Sequence, residues 1–377
     1  MSVRTKVTAY FHYLTADRPH TWRDWPALGL LCGLAWLYEK ILTYKYEQIF
    51  SRPEKRQKLK AKVISLGNIT VGGTGKTPTT CLLAAWLQAK GRKVALLNRG
   101  YRAEKEKTGA VVSNGQALLL TPETGGDEAC LMARSLPGIP VLIGQNRAAS
   151  GRVAEETFGA EILLLDDGFQ HWQLVRDLDI VLIDATNPFG NGHVLPRGIL
   201  REPLAHLDRA GFFLLTKTDQ VSRNQIRAIR QTLQRYNPQA PVAESIHQPT
   251  ACLPFSLWNE VQAEPEKKDY LPKGQAVLAV SALGNPASFE KTIADYGLKA
   301  VQKIRYEDHH RYTKEDFQAL AAAAKESGLP LVTTEKDAVK MPAAWVLQYH
   351  LPLYVLKITI VITKGKEEIE RVLEELL

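Results

Sequence analysis

Residues 63–80 read VISLGNITVGGTGKTPTT. Val63-Ile64-Ser65-Leu66 is a short β-branched run that reads as a buried strand. A glycine-rich turn follows, then Lys76-Thr77, and after Pro78 an apolar helical pattern from Cys81 to Leu87. Strand, glycine loop, Lys-Thr and helix in that order are the parts of a phosphate-binding P-loop. Glycines let backbone N–H groups turn toward phosphate oxygens, and the helix N-terminus adds its positive dipole end. Gly72, Gly73, Thr74, Gly75, Lys76 and Thr77 are therefore the expected nucleotide site. Lys76 would neutralise the β- and γ-phosphates, and Thr77 would hold Mg²⁺. One departure stands out: Thr70 occupies the place of the usual first glycine. The competing reading is an ordinary glycine-rich strand-to-helix turn.

The chain has 377 residues and a formal net charge of +8, a length that suits two domains. The charge is unevenly placed. Residues 1–62 carry twelve Lys/Arg against five Asp/Glu, and the rest is nearly neutral. A nucleic-acid enzyme more often spreads its basic groups around a cleft, so no nucleic-acid partner is expected. A basic segment beside an apolar helix points instead to an anionic membrane surface. That helix is expected over residues 27–50. Residues 27–38 (ALGLLCGLAWLY) are almost wholly apolar, a run too short to span a bilayer, which needs about 20 residues. No signal-peptide cleavage pattern follows it. Glu39, Lys40, Thr43 and Glu47 mark one face, with Leu34, Tyr38, Ile41, Leu42 and Ile49 roughly opposite. An interfacial helix anchored by Trp22, Trp25 and Trp36 is one reading; a helix packed on its own domain is the other. Cys32, Cys81, Cys130 and Cys252 form no C-x-x-C pair, which fits a reducing cytoplasm and neither a disulfide framework nor a zinc site.

Apolar runs alternate with helical patterns along the rest of the chain, which predicts an α/β fold with mainly parallel sheets. The series 93–97, 141–143 and 162–166 continues the P-loop unit, with a small hairpin expected from 110–113 and 117–120 around Asn114-Gly115. A second series has strands near 179–184, 211–216, 276–281, 331–333 and 354–362, and helices at 223–236 and 314–327. The expected organisation is an amphipathic, membrane-associated segment (1–60), a P-loop NTPase-like domain (61–175) joined by a C-terminal helix (364–377), and a second α/β domain (176–363).

Several side chains carry chemistry. Asp166 and Asp167 end a fully apolar strand, where Mg²⁺ and its waters sit in P-loop proteins; Asp-Gly is also common turn chemistry. Asp127 and Glu128 are two more acids at a helix start, where Asp127 could equally be an N-cap. Asp308-His309-His310 could tune or relay a proton, or be plain surface. Arg99, Arg102, Arg147, Arg197 and Arg201 could gather around an acceptor phosphate. Thr216-Lys217-Thr218-Asp219 echoes the guanine-reading pattern of GTPases, although no D-x-x-G follows the Asp166 strand. Two classes stay open on these residues: a P-loop kinase with a membrane-associated acceptor, and a GTPase-type switch or chaperone module.

The ordered set of motifs resembles one family, the tetraacyldisaccharide 4′-kinases of lipid A biosynthesis. The matching pieces are SLGNITVGGTGKTP (65–78), RGY (99–101), GDE (126–128), DDGFQH (166–171), GNGHVLP (190–196), LREPL (200–204), DHH (308–310) and TEKDAVK (334–340). The resemblance implies ATP- and Mg²⁺-dependent phosphorylation of the 4′-hydroxyl of a tetraacylated glucosamine disaccharide 1-phosphate, giving lipid IVA. It also implies a peripheral position at the cytoplasmic face of the inner membrane and an active site between two domains. By the same resemblance Asp127 and His309 form a catalytic dyad acting with Lys76. Thr77, Asp166, Asp167 and Glu128 lie at the metal, and Arg99, Tyr101, Arg147, Gln170, His171 and Arg201 at the substrate. The run here departs from the family at Asn98, where Ser is common, and at Arg197, in place of a small residue.

Overall fold

The computed structural model describes residues 10, 13–15, 21–260, 270–308 and 310–377. Of the motif residues above, His309 lies outside the described residues, as does most of the loop expected over 262–273. The fold is α/β, as the alternation of apolar runs and helical patterns requires. The chain divides into two compact units, and neither is one continuous stretch.

The first unit holds residues 1–76, 167–246 and 362–377. Helix α1 (Trp25–Phe50) precedes strand β1 (Lys62–Asn68). Seven residues of β1 run from an exposed Lys62 into six buried positions, so its side chains are enclosed on both faces. β1 pairs in parallel with β6 (Leu178–Asp184), Ile64 opposite Leu178 and Asn68 opposite Leu182. β6 pairs with β7 (Phe212–Thr216), and β7 with the start of β8 (Val242–Pro254), again in parallel. Ile69, Phe169, Val181, Ile183, Phe213 and Leu215 form the core with Ile226, Ile229 and Leu233 of the helix Arg223–Tyr236. That helix starts on a capping box in which Ser222 accepts from the Gln225 N–H.

The second unit holds residues 77–166 and 247–361. In it β2 (Val94–Asn98) lies between β4 (Pro140–Ile143) and β5 (Ile162–Asp166), all parallel and fully buried. β3 (Ala110–Asn114) runs antiparallel on the free side of β4. The expected hairpin is reduced to one bridge, Ser113 to Leu118. The chain still folds back there, the Leu119 N–H donating to the Val112 carbonyl at 2.8 Å, while the Gly138 N–H donates to the Gly115 carbonyl at the turn at 2.7 Å. β9 (Ala276–Ser281) pairs in parallel with β10 (Lys299–Arg305) and β11 (Leu331–Thr334), and β11 with β12 (Leu353–Lys364). Phe317 and Leu320 of the helix Lys314–Ser327 pack over them.

No helix among the described residues is long and apolar enough to cross a membrane. Helix α1 packs on its own unit along one side and leaves an apolar side exposed. Ala35, Tyr38 and Tyr46 face the first unit, where Ala35 is 5% exposed and Tyr46 stacks on His206 at 4.2 Å. Leu30, Leu34, Trp36, Leu37, Ile41 and Tyr44 stay exposed on the same helix. The apolar face expected from periodicity is thus split, with Tyr38, Leu42 and Ile49 turned toward the protein and Leu34 and Ile41 toward solvent.

Candidate active site

In the first unit, β1 delivers Asn68 to the start of the glycine loop. Gly67 lets β1 pass close to the DDGFQH segment: a Cβ there would lie 2.7 Å from the Phe169 backbone nitrogen, which no side chain tolerates. Gly72 and Gly75 have φ of +119° and +86°, the region that favours glycine, and a Cβ at Gly72 or Gly73 would meet no atom within 4 Å. The loop is therefore an open cradle. At its end Lys76 Nζ lies 3.2 Å from Asn68 Oδ1 and 3.4 Å from Asp167 Oδ1.

Asp167 holds a second cation. Arg201 forks onto it at 2.6 and 3.0 Å, and also donates to Asn68 Oδ1 at 3.3 Å and Gln170 Oε1 at 2.9 Å. Burial pushes the Asp167 carboxyl up, but the Lys76 charge and the Arg201 hydrogen bonds outweigh it and hold the group well below the usual carboxylate range. Its backbone is left-handed (φ +55°), a conformation Asp tolerates better than most residues. Gln170 donates through Nε2 to the Asn68 carbonyl at 2.9 Å and to Glu202 at 2.8 Å. Glu202 is fully buried; burial raises its carboxyl, yet His206 and Arg209 bring it below its ordinary value. Arg201 is pinned through its backbone as well, its N–H donating to the Ile69 carbonyl at 2.7 Å. Lys76, Asp167, Gln170 and Arg201 thus form one network around Asn68. His171 sits half-buried beside it, its carbonyl accepting from Arg176 at 2.6 Å.

In the second unit, Thr77 follows Lys76 in the first turn of helix α2 (Lys76–Ala89) and is partly buried. Asp166, 1% exposed at the end of β5, accepts from Thr80 at 3.1 Å and from Asn98 at 3.0 Å. Asn98 in turn accepts from the Gly100 N–H at 2.7 Å. Asn98 is therefore the strut between Asp166 and the RGY turn, and the longer amide reaches both. Tyr101 is 52% exposed between Arg99 and Arg102, whose guanidinium carbons lie 5.9 and 5.3 Å from its ring centre. Arg99 also pairs with Glu106 at 2.7 Å. Arg147 is buried at the start of helix α4 (Arg147–Phe158), following α3 (Asp127–Ser135), and donates to the Gly144 and Gln145 carbonyls at 3.0 and 3.3 Å.

Gly126, not Asp127, is the cap residue of α3; at φ +88° it packs against Gly100. Asp127 is then the first helical residue, one position beyond the glycine that meets the RGY turn. Lys336 lies 3.5 Å from Glu128 and 4.0 Å from Asp308, which brings the GDE helix start and the DHH segment to one ammonium group. His310 turns away to Asp316 at 2.8 Å, in the cap of the helix Lys314–Ser327.

Among the described residues no group of three or more His, Cys, Asp or Glu could hold a metal ion by itself. The acids that end β5 are engaged by Thr80, Asn98, Lys76 and Arg201. This suits a cation that enters with a polyphosphate and keeps most of its waters, as Mg²⁺ does. The open N–H-rich loop, Lys76 and Arg201 are the donors a polyphosphate needs. Sequence reasoning did not single out Asn68, which meets Lys76 and Arg201 in the first unit, or Lys336, which meets Glu128 and Asp308 in the second, although both lie in stretches it quoted.

A buried strand, an open glycine loop and a Lys-Thr helix start on an α/β scaffold define a P-loop protein. The family model for tetraacyldisaccharide-1-P 4′-kinase matches residues 27–377. The tetraacyldisaccharide 4′-kinase of Halothermothrix orenii is 37% identical over 99% of both chains. That of Anaeromyxobacter sp. (strain Fw109-5) is 45% identical over 75% of this chain and 74% of its own. The crystal structure of LpxK from Aquifex aeolicus, described as an "apo" form in complex with ATP, matches with a TM-score of 0.71 at 28% identity, covering 93% of this chain and 99% of that one. The chain belongs to the tetraacyldisaccharide 4′-kinase family.

Proposed function

We propose that this protein transfers the γ-phosphoryl group of ATP to the 4′-hydroxyl of a tetraacylated glucosamine disaccharide 1-phosphate. Membership of the family over residues 27–377 carries this reading. The site chemistry agrees with it. Phosphoryl transfer asks mainly for positioning and charge neutralisation. The glycine loop would wrap the phosphates while Lys76 moves its charge from Asp167 to the β- and γ-oxygens. Thr77, Asp166, Asp167 and Glu128 are the residues that would hold Mg²⁺ and its waters; the ion supplies neutralisation of the β/γ charge. Arg201, Gln170, His171, Arg99, Tyr101 and Arg147 make up the acceptor side, with Arg201 the best-placed phosphate ligand because its fork is already aligned on a carboxylate.

Asp127, with His309, takes the proton of the sugar hydroxyl. Its place in the first turn of α3 supports this role, next in sequence to Glu128, which shares Lys336 with Asp308. General base catalysis contributes about 10²–10⁴-fold. Asp127→Ala and His309→Ala should each lower kcat within that range, and the double variant should be little worse than the poorer single, because groups that act as a unit do not add. Steady-state kcat across pH is the measurement; fully multiplicative losses would separate the two residues. The exposed apolar side of α1, beside a basic chain start, fits a peripheral position on an anionic membrane, which for this enzyme would be the cytoplasmic face of the inner membrane. The overall test is phosphate transfer to the lipid disaccharide from ATP, compared with GTP. Transfer from ATP is expected, and its absence with folded protein would remove the reading.

A further inference from the structure

The Thr216–Asp219 run is absorbed by neither the fold nor the proposed reaction. It follows β7, and its first two side chains turn back onto the glycine loop. Thr216 is fully buried and donates through Oγ1 to the Thr74 carbonyl at 3.0 Å. Lys217, 5% exposed, donates through Nζ to the Gly73 carbonyl at 3.1 Å and pairs with Asp184 at the end of β6. Asp184 is itself held by the Thr186 N–H at 3.0 Å and by its hydroxyl at 2.6 Å. Lys217 sits at φ +55°, a backbone that L side chains rarely adopt, so the surroundings hold it in place. A trans peptide is planar, with C=O and the following N–H pointing opposite ways. Drawing the Gly73 and Thr74 carbonyls toward Thr216 and Lys217 therefore turns the N–H groups of Thr74 and Gly75 away from them, toward the open side of the loop.

We propose that Thr216 and Lys217 are positioning residues for the phosphate loop, with Asp184 aiming Lys217. They orient the loop's peptide planes so that its N–H groups converge on a bound triphosphate before it arrives. This rests on the ATP reading above. Tying two carbonyls to buried donors removes the loop conformations in which those carbonyls would face, and repel, phosphate.

The test measures binding of ATP and of inorganic tripolyphosphate by calorimetry, with melting curves without ligand. Thr216→Val keeps shape and removes one donor. Lys217→Met leaves the partly buried Asp184 carboxylate without its cation, so it is made together with Asp184→Asn. Both the single Thr216→Val and the double Asp184→Asn/Lys217→Met should bind each probe about two- to tenfold more weakly, the loss expected for one such hydrogen bond, while KM for the lipid acceptor stays unchanged. Lys217→Arg should recover part of the affinity. Melting of the double variant near that of the parent protein, with affinity still low, separates positioning from general stability. Parent-like affinity in both variants would overturn the inference, and so would a loss confined to ATP that spares tripolyphosphate, since that would place the effect at the nucleoside. Failure of the unmodified protein to bind either probe would bring down the ATP reading itself, and this inference with it.

Discussion

Lys76 has two acceptors, the Asn68 amide oxygen and the Asp167 carboxylate. Removing its ammonium leaves Asp167 still paired with Arg201, so no buried charge is orphaned. Lys76→Ala should therefore stay folded while turnover drops by about 10²–10³, the usual cost of one electrostatic contact to the transition state. A melting temperature near the parent's with turnover also near the parent's would mean Lys76 does not touch the reacting phosphate. Asp167 gives a pH prediction. Its folded-state pKa is depressed by Lys76 and Arg201 against the opposing effect of burial. A depressed carboxylate stabilises the fold fully above its unfolded pKa, and loses that contribution as pH falls toward the folded value. Asp167→Asn should thus melt below the parent at neutral pH, with a gap that persists down to about pH 4, the ordinary Asp value, and closes only below it. Melting curves from pH 3 to 8 check this; a gap already closed at pH 6 would assign the effect to another group.

Helix α1 has two unlike faces, one packed on the first unit and one exposed. Its inner face ends in a stack: Tyr46 on His206, edge-on to Trp172, with the Arg209 guanidinium 5.3 Å from the Tyr46 ring centre. Tyr38 Oη donates to the Arg201 carbonyl at 3.3 Å. The helix thereby rests on the same segment that carries Arg201. Its outer face leaves Leu30, Leu34, Trp36, Leu37, Ile41 and Tyr44 exposed, more apolar side chain in one stripe than an isolated surface helix needs. Substitutions should separate the faces. Leu34→Glu with Ile41→Glu should weaken binding to anionic liposomes and raise KM for the lipid acceptor without lowering the melting temperature. Tyr46→Ala should do the reverse, lowering stability by about 1–3 kcal/mol through lost aromatic packing. Liposome flotation and thermal melts decide it; parent-like flotation of the double Glu variant would assign membrane contact elsewhere.

At the scale of the whole molecule, each compact unit is assembled from segments distant in sequence. The first depends on its last segment. Ile369 and Leu373 of the helix Lys366–Glu374 are 1% exposed, Thr363 donates to the Glu244 carbonyl at 3.2 Å, and Gly365 comes so close to Ala243 that an added Cβ would lie 3.0 Å from it. Deleting residues 362–377 should destabilise the protein by about 3–6 kcal/mol, the value of two buried aliphatic side chains. The check is a denaturant titration; a parent-like midpoint would mean the segment is dispensable to the fold.

The glycine loop, the fully apolar strands and the capped helices were legible along the chain because their signals are local. β5 and β2 are continuous apolar runs, and the helices 223–236 and 314–327 begin at Ser222 and Thr313 with their partners three residues on. The family was legible for the same reason, as short motifs in order. β8 and β10 were not foreseen: β8 carries Glu244, His247, Gln248 and Pro249, and β10 is mostly exposed, so neither shows an apolar run. Asp166 and Asp167 are alike in sequence, yet one is fixed by Thr80 and Asn98 and the other holds Lys76 and Arg201. Arg147 reads as a surface cation but is buried, its Nη1 on two loop carbonyls; Lys217 reads as a stray echo but braces the glycine loop. Side-chain type and spacing set which local structures can form. Which donor meets which acceptor depends on burial and on partners tens of residues away, and only the folded chain brings those together.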